Sequence, residues 1–247
     1  MPANTRRTCL LGRILDAVWP RDCEVCGRPS DRPGRHVCAD CLNRLPAMPY
    51  TGCCRRCGRD AQGLDAEFLC EDCRVHKPHF DRAASVMRME GEARQMMNAF
   101  KFRAHHWLRD DFVDLLESTA KNRFVVGEID LVLCVPSTFW HFFDRGYNPC
   151  RLLAAPLAKR LGKPAPRFVL RRKGRPARQG GLTEEDRRTN VVNTFAVMRP
   201  NVVKGKTVLL LDDVMTTGST LSECAKTLKE AGAARVWCLS FVRSLHT

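Results

Sequence analysis

This 247-residue sequence predicts an α/β fold: a parallel sheet with flanking helices, preceded by a small cysteine-rich module. Three observations carry the prediction. Val208-Leu209-Leu210-Leu211 is an apolar run too short for a helix of its own, so it reads as a buried strand, and a turn and a helix-like segment from Leu221 to Ala231 follow it. The same order of strand, loop and helix occurs between Ile129 and Leu161, which implies parallel pairing with ligands at the carboxyl ends of the strands. Ahead of both, cysteines recur in pairs separated by two residues. The length suits one sizeable core plus a smaller module, with the division expected at 1–78 and 79–247.

Near the N-terminus, Leu10, Leu11, Ile14, Leu15, Val18 and Trp19 follow Arg6 and Arg7. Arg13 and Asp16 interrupt the apolar run, so its spacing is that of an amphipathic helix docking by one face rather than a secretory signal. No apolar run is long enough to cross a membrane, and no membrane insertion is expected. A cytoplasmic location follows, and in that reducing compartment the 14 cysteines are expected as metal ligands or free thiols rather than disulfides.

Cys23-Glu24-Val25-Cys26-Gly27 is answered by Cys38-Ala39-Asp40-Cys41, and the pattern repeats as Cys54-Arg55-Arg56-Cys57-Gly58 with Cys70-Glu71-Asp72-Cys73. Two thiolates two residues apart chelate one tetrahedral ion from a tight turn, and two such pairs close a four-thiolate site. The repeat therefore predicts two structural Zn²⁺ sites in a double zinc ribbon. Each metal contributes about 10–16 kcal/mol in comparable peptides, which holds together a segment poor in apolar residues. Cys53 is left as a spare thiol, and His36, His76 and His79 as surface residues, because eight cysteines already fill both sites.

Phe80 to Met89 reads as a strand broken at Gly91. Ala93, Met96, Met97 and Phe100, then Leu108, Phe112, Leu115 and Leu116, give helical spacing over two segments. Lys101, between Phe100 and Phe102, is a cation in an apolar stretch that either meets an anion or snorkels to the surface. A strand from Ile129 to Val135 is stopped by Pro136-Ser137, and an aromatic loop carries Trp140, Phe142, Phe143 and Arg145. Leu152, Leu153, Leu157 and Leu161 then form a helix closed by Gly162. Between Arg171 and Asn190, a basic segment without hydrophobic period carries Arg175, Arg178, Arg187 and Arg188. It suits a flap over a polyanion, a nucleic-acid patch or a solvated charge run.

The most specific stretch is Asp212-Asp213-Val214-Met215-Thr216-Thr217-Gly218-Ser219-Thr220. Free N–H groups and the positive end of a helix dipole at such a turn receive a phosphate, and Gly218 lets the chain approach it closely. Carboxylates repel phosphate, so Asp212 and Asp213 fit sugar hydroxyls beside it. A ribose 5-phosphate is the ligand implied. The net charge of +14 agrees with an anionic partner, small or polymeric.

This stretch resembles the PRPP-binding motif of type I phosphoribosyltransferases, PRPP being 5-phosphoribosyl 1-diphosphate. Together with the paired cysteines, Lys101, Val135-Pro136-Ser137, Arg145-Gly146-Tyr147-Asn148, Gln179, Leu182, Arg187, Asn190-Val191 and Phe195, it makes the chain resemble the ComF competence family. The resemblance implies a type I phosphoribosyltransferase-like sheet behind the zinc module and a cytoplasmic role in DNA uptake during natural transformation, with a helicase-like partner. It departs from the family pattern at Pro149, at Pro176 and in the aromatics Trp140, Phe142 and Phe143.

On one reading the chain is a Mg²⁺-dependent phosphoribosyltransferase. Asp212 and Asp213 then act on the ribose and on the charge developing at C1, while Met215, Thr216, Thr217, Gly218, Ser219 and Thr220 form the phosphate cradle. The resemblance adds Pro136, Ser137, Arg145, Lys101 and Arg187 to the ligand contacts, with Arg145, Arg175 and Arg187 receiving the diphosphate. On the other reading it is a non-enzymatic competence protein handling single-stranded DNA, with the cradle as a phosphate or nucleotide sensor.

Overall fold

The structure, a computed structural model, describes residues 21–61, 67–137, 147–173 and 194–244. The expected N-terminal amphipathic helix, the aromatic loop with Arg145, and the basic segment from Arg175 through Arg187 lie outside these residues.

Each half of the cysteine module ends in one short helix, α1 (Ala39–Asn43) and α2 (Glu71–Val75). Cys38 and Cys70 are their N-caps, which brings Cys41 and Cys73, one turn on, to the same side. Then come β1 (Arg82–Arg88), α3 (Gly91–Phe102), α4 (Arg109–Arg123), β2 (Leu131–Cys134), α5 (Pro149–Leu161), β3 (Leu170–Arg172), β4 (Phe195–Val197), α6 (Pro200–Val203), β5 (Thr207–Met215), α7 (Ser219–Glu230) and β6 (Arg235–Arg243).

Four strands form one sheet in the order β1-β6-β5-β2, and every neighbouring pair is parallel. β3 and β4 form a separate antiparallel pair that frames the basic segment. Alternate residues of β5 feed two cores. Leu209 and Leu211 face Phe112, Leu153 and Leu157 of α4 and α5, whereas Val208 and Leu210 face Leu221 and Leu228 of α7. Phe112 stacks on Phe241 of β6 with ring centroids 3.9 Å apart, and burying such a side chain contributes about 1.5–3 kcal/mol.

The strands extend further than hydropathy indicates. β5 continues beyond its apolar run through Asp212 and Asp213 to Met215, because Asp212, Val214 and Met215 pair with Ser240, Val242 and Arg243. The helix after it starts at Ser219, two residues earlier than the apolar period suggests, because the turn itself supplies its first residues. Pro149, the departure from the family pattern, is the first residue of α5, where a missing N–H costs nothing.

The two cysteine clusters sit on opposite faces of the sheet. Cys23, Cys38 and Cys41 belong to the core under α4 and α5, and Cys54, Cys57, Cys70 and Cys73 to the core under α7. Between them the chain crosses the outer edge of β1. Met48 donates its N–H to Val86 O (2.9 Å), and the N–H of Arg88 reaches Pro46 O (2.8 Å). The module thereby covers a strand edge that would otherwise be open to pairing with another chain.

Gly58 lies where this wrapping is tightest. Its φ is +70°, and a Cβ there would stand 2.7 Å from the carbonyl oxygen of Ala83 in β1. On the opposite face the first ribbon is pinned to α4: the buried Asp111 accepts from the Arg32 guanidinium and from the N–H of His36, both at 2.9 Å.

Candidate functional site

The winding of the chain fixes where a ligand can sit. The link from β2 to β5 carries α5 over one face, and the link from β5 to β6 carries α7 over the other. The reversal opens a crevice at the carboxyl end of β5, and the acidic pair stands there.

Asp212 is buried and Asp213 half-buried. The N–H of Asp213 donates to Asp212 Oδ1 at 2.9 Å, and the thiol of Cys150, in the first turn of α5, faces the same oxygen at 3.6 Å. Burial, reinforced by the neighbouring charge of Asp213, pushes the Asp212 carboxyl up to about 7. Burial likewise keeps the Cys150 thiol well above its ordinary value, so it is a neutral donor. Lys101, from the last turn of α3, reaches across the crevice and places Nζ 2.7 Å from Asp213 Oδ2. The lysine therefore meets an anion rather than snorkelling.

The turn after β5 is built as an open helix start. Gly218 is the N-cap of α7 with φ +82°, a conformation that L side chains rarely adopt, and a Cβ there would meet the Met215 side chain at 2.7 Å. Thr217 Oγ1 lies 2.7 Å from Ser219 Oγ and accepts from the Ser219 N–H at 3.3 Å. Thr216 and Thr220 are half-buried beside them. Met215 is buried under the turn, and its carbonyl accepts from the N–H of Ser244.

The second ribbon flanks this turn. The N–H of His79 donates to Ser222 Oγ at 3.0 Å, and a cavity of about 220 Å³ lies between Thr217, Gly218 and Ser219 on one side and His76, His79 and Arg243 on the other. Arg243 is fully buried and joins the two parts: Nη1 donates to Cys57 O at 2.7 Å, and Nη2 lies 3.6 Å from Cys57 Sγ.

One further residue, Cys150, had no signal in the sequence. Tyr147, singled out with Arg145-Gly146-Tyr147-Asn148, had no contact assigned to it: its hydroxyl donates to the carbonyl of Phe100, next to Lys101, and its ring meets His106 edge-on at 4.3 Å, which fixes the end of α3. Pro136 and Ser137 leave β2 at the side of the crevice, and Asn148 closes that loop by donating to Val135 O at 3.2 Å and capping α5. Arg145 and Arg187 lie outside the described residues.

Both four-cysteine groups bring their sulfurs together. In each, all four lie within 4.8 Å of one another, and neighbouring sulfurs stand 3.8 Å apart in the first and 3.6 Å in the second. A tetrahedral Zn²⁺ with bonds of about 2.3 Å requires edges of about 3.8 Å, so both fit closed structural sites. Cys53 is apart from them, its thiol donating to Pro49 O at 3.1 Å.

Residues 14–74 match the double zinc ribbon domain, and residues 148–247 match the phosphoribosyl transferase domain. The chain is 30% identical over 216 residues to the DNA utilization protein YhgH of Escherichia coli O157:H7, covering 80% of this chain and 94% of that one. The chain belongs to the ComF family. It is also similar to two relatives that carry the family's name. Competence protein F of Haemophilus influenzae is 29% identical over 210 residues, covering 83% of this chain and 90% of that protein. Competence protein ComFC of Bacillus subtilis is 27% identical over 221 residues, 86% of each. In ComF terms, the double ribbon and the phosphoribosyltransferase-type sheet are the family's two parts, here packed on each other through Arg243, Gly58 and Asp111.

Proposed function

We propose that this ComF-family chain binds PRPP with Mg²⁺ and transfers the phosphoribosyl group to a nucleophilic acceptor, as part of handling DNA taken up by the cell. One observation carries the reading: an acidic pair at the carboxyl end of β5 leads directly into a hydroxyl-rich helix start whose N-cap is a glycine at φ +82°. The relatives' names, competence and DNA utilization, supply the cellular context.

The roles follow from the chemistry of each group. The N–H groups from Thr216 to Thr220 and the start of α7 receive the 5-phosphate. Asp212 and Asp213 accept from the ribose hydroxyls and stabilise the positive charge that develops at C1 as its bond to the diphosphate breaks. The diphosphate leaves with the bonding electrons, the acceptor atom forms the new bond to C1, and the acceptor's proton is lost to solvent. Lys101 transfers its charge from Asp213 to the diphosphate, with Pro136 and Ser137 shaping that side and Arg145 and Arg187 adding cations.

The sulfur of Cys150 and the carboxylates of Asp212 and Asp213 offer three donor atoms within 4.8 Å. Magnesium takes hard oxygen ligands, so the carboxylates suit it and the protonated thiol does not. When bound, Mg²⁺ neutralises the diphosphate leaving group.

The Lys101–Asp213 ion pair motivates a second reading. A carboxylate already held by a lysine also suits a switch, and the chain would then be a non-enzymatic protein handling single-stranded DNA, with a helicase-like partner and the cradle as a phosphate or nucleotide sensor.

Calorimetric titration of the zinc-loaded protein with PRPP, with and without Mg²⁺, tests both. Binding that needs Mg²⁺ and disappears in the double variant Asp212→Asn/Asp213→Asn is expected. No heat from a folded, zinc-loaded protein would overturn the PRPP site. Binding without diphosphate release in the presence of DNA, bases or nucleosides would favour the sensor.

A further inference from the structure

A second cavity, of about 240 Å³, lies outside β2, and none of Asp212, Asp213 or the turn from Thr216 to Thr220 lines it. Its walls are Cys134 and Ser137 at the end of β2, Arg151 and Ala154 of α5, and Phe168 and Val169 of the segment leading to β3. Phosphate contacts of the proposed PRPP site do not account for it.

Three features define its chemistry. Phe168 is 74% exposed yet holds φ at +57°, a left-handed conformation that is unfavourable for a bulky side chain and that its packing does not repay. The Arg151 guanidinium lies over that ring, 5.4 Å from its centroid, and makes no ion pair among the described residues. Along β2, Val132 donates to Pro164 O on the outer side and Val135 to Leu211 O on the inner side. By that alternation the N–H of Cys134 points outward on the side of the cavity, and no other described residue accepts from it.

We propose that this cavity is a binding site for a planar heteroaromatic ring of the nucleobase class, stacked against the surface that Phe168 and Arg151 form together, with a hydrogen-bond-accepting edge towards the Cys134 N–H. Aromatic faces and guanidinium planes are the surfaces on which such rings stack. The lining contains no carboxylate, so it offers donors and no competing anion. Its volume is below that of cavities for drug-sized ligands, which suits a ring rather than a whole nucleotide. The site borders the proposed PRPP site at Pro136 and Ser137 but shares no residue with the acidic pair or the cradle, so variants of Asp212 and Asp213 test the two apart.

The ring can come free or from an unstacked base of a single strand, and the test separates the two. Saturation-transfer NMR on the zinc-loaded full chain would use uracil, adenine and a single-stranded thymidine oligonucleotide. Arg151→Ala and Phe168→Gly are each expected to weaken ring binding about tenfold or more. Phe168→Gly relieves the φ strain, so its Tm should be no lower than that of the parent, which separates lost binding from lost folding. Asp212→Asn/Asp213→Asn should bind the ring as the parent does. Dependence on Arg151 and Phe168 with the free bases assigns a free ring; the same dependence with the oligonucleotide alone assigns a strand base. No ring bound from either source, or both cavity variants binding like the parent, overturns the site.

Discussion

At the residue scale, the acidic pair divides its labour through environment. Asp212 has its carboxyl raised to about 7 by burial and by Asp213, so the folded state holds a proton that the unfolded chain releases near pH 4. Stability therefore falls as pH rises from about 4 to about 7, and Asp212→Asn removes that contribution. In thermal melts the variant's advantage in Tm should be absent at pH 4 and grow towards pH 8, by about 2–4 °C for each kcal/mol. An equal difference at both pH values would show that Asp212 ionises normally. Under the proposed function PRPP affinity should fall below pH 7, where Asp212 can no longer serve as a full acceptor. Lys101→Ala leaves Asp213 unpaired in a half-buried site and should cost about 1–3 kcal/mol by denaturant titration. The two carboxylates are legible in the sequence because they are adjacent and follow an apolar run. Cys150 and the contact of Tyr147 are not, because their partners, Asp212 and Phe100, are distant in sequence and only the fold brings them together.

At the scale of elements, equivalent glycines of the two ribbons do different work. Gly27 and Gly58 share φ +70°, but a Cβ on Gly27 meets nothing within 4 Å, whereas on Gly58 it meets β1 backbone. Both Gly→Ala changes should cost about 1 kcal/mol for the left-handed conformation, and Gly58→Ala about 1–3 kcal/mol more for the displaced contact. Equal costs in urea titrations would mean that the ribbon and β1 are less tightly apposed than the structure has them. The Asp111 anchor of the first ribbon allows a parallel test. Asp111→Ala leaves the His36 N–H without its acceptor and Arg32 with only Val37 O and Asp114, and should cost about 1–3 kcal/mol. The repeat of CxxCG was readable from the chain, but the reason for the second glycine was not, since it lies in a strand that the motif does not contain. β5 shows the same limit: aspartates are poor strand formers, and only pairing with β6 draws Asp212 and Asp213 into the ladder.

At the scale of the whole molecule, the metal clusters belong to the same cores as the sheet. Removing the metals should therefore not simply unravel an appendage. Chelation is expected to lower the Tm of the entire protein in one cooperative transition, with two Zn²⁺ released per chain in a colorimetric assay. Two separate transitions, with the sheet melting at its original temperature, would contradict the shared packing. Under the proposed function, Cys57→Ser should harm PRPP binding more than Cys26→Ser, because Arg243 joins Cys57 to the cradle's flank. The order of cysteine module and α/β sheet was written in the spacing of cysteines and strands. The placement of one cluster on each face was not, since it depends on how the chain between them crosses the β1 edge.

The sheet order also has a consequence in time. β6, the last described strand, lies between β1 and β5. As the polypeptide leaves the ribosome, β1 is made about 150 residues before the neighbour that fills its inner side, at synthesis rates of about 5–20 residues per second. For those seconds the early strand is guarded on one flank alone, by the ribbons already made. Zinc supply during translation, rather than afterwards, should then govern how much of the nascent protein escapes aggregation.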